Sequence, residues 1–302
     1  MFLFNRKALA AIGVAVASTT TLLAAPAQAA TTGAAKVLGT HNSIVQFTAA
    51  TGQANSLTIT ISGRTITLDD KVAIKPGKGC KAVKGDRTKV RCTTSRKPTE
   101  ISVTLGNKSD KVYNKTAVSM VAFGGSGNDT LSGGSNRDRL FGGNGHDKLY
   151  GRAGVDAIDG ESGNDYISGG KGNDWMQAGL GHDTVSGGSG NDTIFGGAGD
   201  DELHGDAGND TIRGGYGDDS IAGGPGKDKM YGEAGNDGIV GGEIDGDVPD
   251  SADVISGGAG ADTLIGQAGN DKISGGPGND TIIGGPGKDQ ISGGPGTDKI
   301  TQ

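Results

Sequence analysis

The feature of this 302-residue chain that most limits its fold is a nine-residue repeat that runs from Gly124 to Thr301. Thirteen units follow one another without a break as far as Val240. A fourteenth unit opens at Gly241 and carries seven extra residues, and five more units follow from Gly257. Nine residues cannot bury a core alone, so the nineteen units have to stack on one another as a solenoid.

Two positions of the repeat keep their residue type in every unit. Position eight is always aliphatic or Met, and position six is always Asp. The position-six residues are Asp129, Asp138, Asp147, Asp156, Asp165, Asp174, Asp183, Asp192, Asp201, Asp210, Asp219, Asp228, Asp237, Asp253, Asp262, Asp271, Asp280, Asp289 and Asp298. Independent drift would not leave both columns intact, so the pattern argues against disorder. One inward apolar side chain per nine residues predicts a short strand in each unit, with strands stacked about 4.8 Å apart.

Glycine explains how so short a unit can turn. Of the 60 Gly in the chain, 51 lie within the repeats, mostly at positions one, two and four, where they permit positive φ and tight turning. Gly does not recur at every third residue, which excludes collagen. Phe, Trp and Tyr together number only 12, too few to fill an ordinary enzyme core of this length.

The stacked Asp residues would repel one another unless a cation lies between them. The repeat offers carboxylate and backbone carbonyl oxygens, and it has no constant His or Cys. Hard oxygen ligands favour Ca²⁺ over zinc or copper. The sequence therefore predicts multiple Ca²⁺ ions as cofactors, with the nineteen position-six Asp as metal ligands.

The units resemble the Gly-Gly-x-Gly-x-Asp-x-U-x nonapeptide of RTX proteins, a calcium-binding parallel β-helix repeat in which U is apolar. The resemblance implies an all-β fold, a parallel β-roll in which two units make one turn. It also implies that each Ca²⁺ lies between stacked turns, held by backbone carbonyls and by Asp from units two apart. Asp129 would then share an ion with Asp147, and Asp138 with Asp156. Nineteen units imply about nine and a half turns, on the order of 45 Å long.

Several units depart from the pattern. Position two is not Gly in five units, where it is Arg152, Glu161, Asp206, Glu233 or Gln267, and position one is Ala178 in another. Arg152 brings a positive charge to a predicted cation loop. We therefore expect the sites that use residues 151–156 to bind Ca²⁺ most weakly.

The insertion in the fourteenth unit leaves two interpretations open. Its acidic residues Glu243, Asp245, Asp247 and Asp250 could form a separate Ca²⁺ loop, or they could form an acidic surface excursion. The sequence favours the second interpretation without excluding the first.

Residues 1–29 have the pattern of a secretory signal peptide. A short basic segment, Asn5-Arg6-Lys7, precedes an apolar stretch from Ala8 to Ala25, and Ala27-Gln28-Ala29 fits the small-residue cleavage rule. An N-terminal membrane anchor is the alternative. No later segment approaches 18 consecutive apolar residues, so we expect no transmembrane segment in the mature chain. These features predict a secreted, extracellular protein, or one associated with the cell wall.

Residues 30–123, here called the head, differ in charge from the repeats at 124–302. The head has 15 Lys or Arg against 5 Asp or Glu, whereas the repeats have 11 against 30. Leu57, Ile59 and Ile61 alternate with polar residues ahead of Gly63-Arg64, which predicts a β-hairpin. We therefore predict two units after the signal peptide, a small basic β-rich head and an acidic β-roll.

The only two cysteines, Cys80 and Cys92, flank the turn signal Lys84-Gly85-Asp86-Arg87. A hairpin closed by a disulfide fits this spacing and an oxidising compartment, and free thiols or half of a metal site are the alternatives. The segment from Pro76 to Cys80, Cys92 and the incomplete unit Ser109-Asp110-Lys111-Val112 also resemble the leader of small secreted actinobacterial calcium-binding proteins.

These observations favour a secreted, non-enzymatic calcium-binding protein whose β-roll folds on binding several Ca²⁺ ions. The alternative is a cell-surface or matrix adhesion module, because nine Lys or Arg and one acidic residue lie between Lys75 and Lys97 and could bind an anionic wall or matrix polymer. No feature indicates a specific nucleic-acid partner. No His-Glu-x-x-His or Gly-x-Ser-x-Gly motif is present, so an enzyme is disfavoured.

Overall fold

The computed structural model describes residues 32–39, 43–242 and 252–302, and its regular secondary structure within these ranges consists of β-strands. The described residues contain no helix of the length and apolar character needed to cross a membrane. The predicted signal peptide lies outside the described residues, as do Glu243, Asp245, Asp247 and Asp250 of the insertion.

The strands fall into a head group and a repeat group. The head strands are β1 (Gly33–Leu38), β2 (Ile44–Thr48), β3 (Ser56–Ser62), β4 (Thr65–Asp69), β5 (Ile74–Pro76), β6 (Cys80–Val83), β7 (Asp86–Thr93), β8 (Glu100–Asn107) and β9 (Lys111–Asn114). The next are β10 (Ser119–Ser126), β11 (Thr130–Ser132), β12 (Arg139–Asn144), β13 (Lys148–Ala153), β14 (Ala157–Ser162), β15 (Tyr166–Lys171), β16 (Trp175–Leu180), β17 (Thr184–Ser189), β18 (Thr193–Ala198) and β19 (Glu202–Ala207). The last are β20 (Thr211–Tyr216), β21 (Ser220–Ala222), β22 (Lys229–Ala234), β23 (Gly238–Val240), β24 (Val254–Ala259), β25 (Thr263–Ile265), β26 (Lys272–Ser274), β27 (Thr281–Ile283), β28 (Gln290–Ser292) and β29 (Lys299–Thr301).

Successive repeat units alternate between two parallel sheets, which confirms the predicted parallel β-roll. Strands from β10 onward with even numbers lie in one sheet, and those from β11 onward with odd numbers lie in the other. Within a sheet each residue pairs with the residue 18 positions later, as Leu131 does with Leu149 and Leu140 with Ile158. Two nine-residue units therefore make one turn.

The core lies between the two sheets. Residues of a strand point alternately to opposite faces, so position eight and position one face inward while positions seven and nine face outward. The position-eight side chains are buried as far as Ile282, and only Ile291 and Ile300 in the last two units are more exposed. The buried apolar residues of the head join the same continuous core.

The head adds two turns to the roll. Strands β2 and β8 stack in parallel on β10, and strands β3 and β9 stack in parallel on β11. The roll therefore has about 11 turns rather than the nine and a half expected from the repeats alone. Strand β10 crosses the predicted boundary at residue 123, and the division into two units there remains a prediction.

Antiparallel strands close the N-terminal end of the roll. The predicted hairpin is confirmed, since β3 pairs with β4 across Gly63-Arg64, and β1 pairs antiparallel with β2. Strands β6 and β7 form a second hairpin in which Cys80 lies opposite Cys92 and the two are joined by a disulfide. Gly85 has a φ of 82° in the turn of that hairpin.

The insertion leaves the stacking of the strands unchanged. Strand β22 pairs with β24, so that Tyr231 lies opposite Ser256, 25 residues later instead of 18. The regular step of 18 then resumes, as between Ile255 and Ile273. The repeat thus restarts at Asp253, where the sequence predicts.

Candidate metal centre

The nineteen position-six Asp residues form two columns along the roll. In each column the backbone N–H of one Asp donates to Oδ1 of the Asp one turn later, as from Asp129 to Asp147 and from Asp138 to Asp156, both at 2.7 Å. One column contains Asp129, Asp147, Asp165, Asp183, Asp201, Asp219, Asp237, Asp262, Asp280 and Asp298. The other contains Asp138, Asp156, Asp174, Asp192, Asp210, Asp228, Asp253, Asp271 and Asp289. The structure thus stacks the pairs that the resemblance predicts.

These carboxylates are buried, apart from Asp289 and Asp298 in the last two units, which are half-buried. Within the described ranges, thirteen of them have a buried Oδ2 with no hydrogen-bond partner: Asp129, Asp147, Asp156, Asp165, Asp174, Asp183, Asp192, Asp201, Asp210, Asp219, Asp237, Asp262 and Asp280. A buried charged oxygen without a partner is costly, and so many in regular columns indicate a missing positive partner.

The surroundings of Oδ2 are repeated from unit to unit. A Cβ added to Gly124 would collide with Oδ2 of Asp129 and with the carbonyl oxygen of Gly142. A Cβ added to Gly187 would likewise lie 2.6 Å from Oδ2 of Asp192 and 2.5 Å from the carbonyl oxygen of Gly205. A carboxylate oxygen and a carbonyl oxygen from the next turn therefore converge on the space that position-one glycine leaves open.

Burial raises the pKa of these carboxyl groups, because it disfavours the charged form. The pKa rises to about 7 at Asp129, Asp156, Asp165, Asp201, Asp210 and Asp219, and to about 6 at Asp138, Asp192 and Asp237. Repulsion along the column adds to this effect, as the charge of Asp147 does at Asp129. A metal-free roll at neutral pH thus carries a strong electrostatic penalty.

The donor set suits Ca²⁺. No group of three or more His, Cys, Asp or Glu side chains that could hold a metal forms in the described part of the chain, so backbone carbonyls have to supply the remaining ligands. Carboxylate and carbonyl oxygens in a flexible number are the ligands of Ca²⁺, whereas zinc prefers thiolate and imidazole.

The structure shows where the side chain of Arg152 lies. Its φ is 82°, and its guanidinium Nε donates to Ser132 Oγ at 3.0 Å while the group lies over the ring of Tyr150. The guanidinium therefore has partners of its own outside the Asp columns. The expectation that the sites using residues 151–156 bind Ca²⁺ most weakly stays a prediction.

Ala178 is the more disruptive departure. It occupies position one, it is buried, and it stacks on Gly196 of the next turn. Its methyl group therefore takes the space beside Asp183 that glycine leaves open in other units.

Sequence reasoning missed two members of the columns. Asp110 N–H donates to Oδ1 of Asp129, and Asn55 N–H donates to Oδ1 of Asp110, so both continue the first column into the head. The signal for Asp110 was the incomplete unit at Ser109–Val112. Asn55 lies in a segment without the repeat pattern and had no such signal.

Two facing parallel sheets wound in 18-residue turns, each accompanied by a column of buried carboxylates, define a repeat β-roll protein. The family model of the RTX calcium-binding nonapeptide repeat matches residues 123–158, 150–185, 177–212, 213–243, 250–282 and 266–300, more than half of the chain. The chain therefore belongs to the RTX calcium-binding nonapeptide-repeat family. No curated protein gives a significant match to it.

Proposed function

We propose that this chain is a secreted, non-enzymatic calcium-binding protein whose β-roll folds when Ca²⁺ binds along both Asp columns. The observation that carries the proposal is the set of buried Oδ2 atoms without partners, which in units that open with glycine lie beside a carbonyl oxygen of the next turn. The nineteen Asp residues from Asp129 to Asp298 would hold the ions in pairs one turn apart. The signal-peptide pattern of residues 1–29 supports secretion.

Bound Ca²⁺ would neutralise the stacked carboxylates and connect neighbouring turns. The chain contributes the geometry: Oδ1 is fixed by a backbone N–H, and Oδ2 is left for the ion. Ligand binding to the folded state stabilises it, by about 1.4 kcal/mol per site at ten times the dissociation constant. Many sites in one roll make this dependence on calcium steep.

Far-UV circular dichroism of the mature chain tests the proposal. We expect a weakly structured spectrum in EDTA, a gain of β-signal at millimolar CaCl₂, and reversal on renewed chelation. MgCl₂ at the same concentration is the control, because Mg²⁺ demands stricter geometry and dehydrates reluctantly. A spectrum unchanged by CaCl₂, together with no heat of binding by calorimetry, would contradict the proposal.

A second candidate function is adhesion to an anionic polymer through the head. Eight of the nine basic residues between Lys75 and Lys97 are exposed, and in the described ranges only Lys89 among the nine forms an ion pair, with Asp69 and Asp86. Lys81 and Arg91 lie opposite each other on β6 and β7, so their charges add on one surface. Such a surface attracts polyanions in a salt-dependent manner.

Retention of the full mature chain on immobilised polyphosphate tests this second candidate. The double variant Lys81→Glu with Arg91→Glu should lose salt-sensitive retention. The control, Lys288→Glu with Lys299→Glu, makes the same charge change in the last units and should be retained. Equal retention of both variants would rule out adhesion through the head.

A further inference from the structure

Three oxygen-bearing side chains meet where the head joins the first column. Asn55 directly precedes β3, Asp70 directly follows β4, and Asp110 directly precedes β9. None of them belongs to the nineteen repeats, and all three lie before residue 123, where the family match begins. All three are almost completely buried, with exposed fractions of 1%, 4% and 0%.

One atom of each side chain is held in place by hydrogen bonds. Oδ1 of Asp110 accepts from the backbone N–H of Asn55 at 2.5 Å and from its Nδ2 at 3.1 Å. Oδ1 of Asp70 accepts from the backbone N–H groups of Ser56 at 2.6 Å and Lys71 at 2.8 Å. The two carboxylates therefore bind consecutive backbone N–H groups, those of Asn55 and Ser56.

The other oxygen of each side chain has no partner. Oδ1 of Asn55, Oδ2 of Asp70 and Oδ2 of Asp110 are buried and accept no hydrogen bond from the described residues. Exchanging the amide oxygen and nitrogen of Asn55 would not leave all of its polar atoms with partners, because Nδ2 already donates to Asp110 Oδ1 and to the Gln53 carbonyl. Three buried acceptors without a donor are costly, and only a donor or a cation can offset that cost.

The charges around the cluster are predominantly negative. Burial raises the pKa of Asp70 and of Asp110, and the charge of Asp70 raises that of Asp110 further. Asp129 lies one turn below Asp110 and adds another carboxylate. The charge of Lys71 acts on both carboxyl groups and lowers their pKa, but in the described ranges Lys71 forms no ion pair within 4 Å with either carboxylate.

We propose that Asn55, Asp70 and Asp110 form a Ca²⁺ site of the head, at the N-terminal end of the first column and outside the nineteen repeat units. Two carboxylate oxygens and one amide oxygen are hard ligands of the kind that Ca²⁺ takes, and backbone carbonyls or water would complete its shell. The site ties the start of β3, the end of β4 and the start of β9 together. These segments are 15 and 40 residues apart in sequence, so an ion there crosslinks the head to the first turns of the roll.

Hydrogen exchange of the full mature chain during a CaCl₂ titration tests the site. In the wild type, segments 53–57 and 69–72 should gain protection, and native mass spectrometry gives the number of bound ions. Asp70→Asn should reduce that number by one and raise the calcium midpoint for these segments at least tenfold, while protection of repeat strands such as β16–β20 keeps its midpoint. Asp69→Asn is the matched control, since Asp69 is only half-buried, pairs with Lys89, and undergoes the same charge change.

A second variant keeps the proposal testable if Asp70→Asn fails to fold. Asn55→Ala removes a neutral ligand without changing the net charge, and it should raise the same midpoint. Wild-type ion number and midpoint in both variants would overturn the proposal of a head site. Absence of any calcium response in the repeats, with a response in the head, would instead overturn the function proposed for the repeats and leave the head site standing.

Discussion

A single aspartate at position six serves two structural purposes. Its Oδ1 accepts the backbone N–H of the preceding turn, and its Oδ2 stays free of hydrogen bonds in thirteen units. Asn could accept the same N–H, but it would bring no negative charge to the open oxygen position. This division between the two oxygens explains why position six is Asp in all nineteen repeat units.

Position-one glycine is the second requirement, and Ala178 tests it. We expect Ala178→Gly to tighten calcium binding beside Asp183 by about tenfold, or about 1.4 kcal/mol, because it clears the methyl group from the open space. Gly187→Ala is the reciprocal variant, and it should weaken the site beside Asp192 by a similar factor. Calorimetric titration of both variants measures these changes. Identical isotherms for the wild type and both variants would show that a methyl group at position one leaves calcium binding unaffected.

Position two carries strain wherever it is not glycine. The five replacements have φ between 62° and 82°, a region that costs a side-chain-bearing residue roughly 1 kcal/mol or more. Glu161→Gly should therefore raise the free energy of unfolding in CaCl₂ by about 0.5–1 kcal/mol, a gain reduced by the greater freedom of glycine when unfolded. Thermal unfolding of the wild type and the variant in CaCl₂ measures this difference in stability. Glu161→Gln removes the charge but keeps the φ, so a gain of equal size in that variant would assign the effect to charge.

At the scale of strands, the two columns make a metal-free roll sensitive to pH. The folded-state pKa values of about 6 to 7 exceed the ordinary value of 3.8, so the folded state binds more protons than the unfolded state between these limits. Stability of the metal-free roll is therefore greatest below about pH 4 and falls as pH rises toward 7. With calcium bound, the stability of the roll instead rises with pH, because protons compete with Ca²⁺ for the same carboxylates.

We expect the chain in EDTA to gain β-signal in circular dichroism as pH falls from 8 to 5, and the calcium midpoint to rise over the same range. His146 and His182 directly precede Asp147 and Asp183, and the Nδ1 of each accepts a backbone N–H of the next turn. The control is His146→Asn with His182→Asn, because Asn164 accepts through its side chain in the same way. A pH-independent signal in EDTA would show that the columns do not titrate.

At the scale of the whole molecule, the repeats were predictable and the head only in part. Nineteen copies of the unit determine the length of the repeat, the buried position-eight side chains and the pairing of strands one turn apart. An error in the register of that pairing would expose Leu131 and the other position-eight side chains. The sequence of the head also predicts its hairpins and the disulfide. It does not predict that β2 and β8 stack in parallel on β10, since alternation in a strand is the same for parallel and antiparallel neighbours. The cluster of Asn55, Asp70 and Asp110 depends on that stacking, so no local pattern indicates it.

The disulfide joins strands at the outer edge of one sheet, where β4 pairs with β7 and β7 with β6. Replacing both Cys80 and Cys92 by Ser should destabilise the head by about 3 kcal/mol in the chain-entropy model for a loop of this length. Hydrogen exchange should show lost protection in β6 and β7. Reduction of the wild type is the control, since the chain has no other cysteine for the reductant to affect. Unchanged exchange in β6 and β7 would contradict this role of the bond.

The two turns contributed by the head allow the roll to form from its N-terminal end. Strands β8 and β9 offer a formed parallel edge to β10 and β11, and each later strand needs only the one 18 residues before it. Closing so short a loop costs little entropy at each step. A chain whose N-terminal segment folds first can therefore add the later turns of the roll one after another.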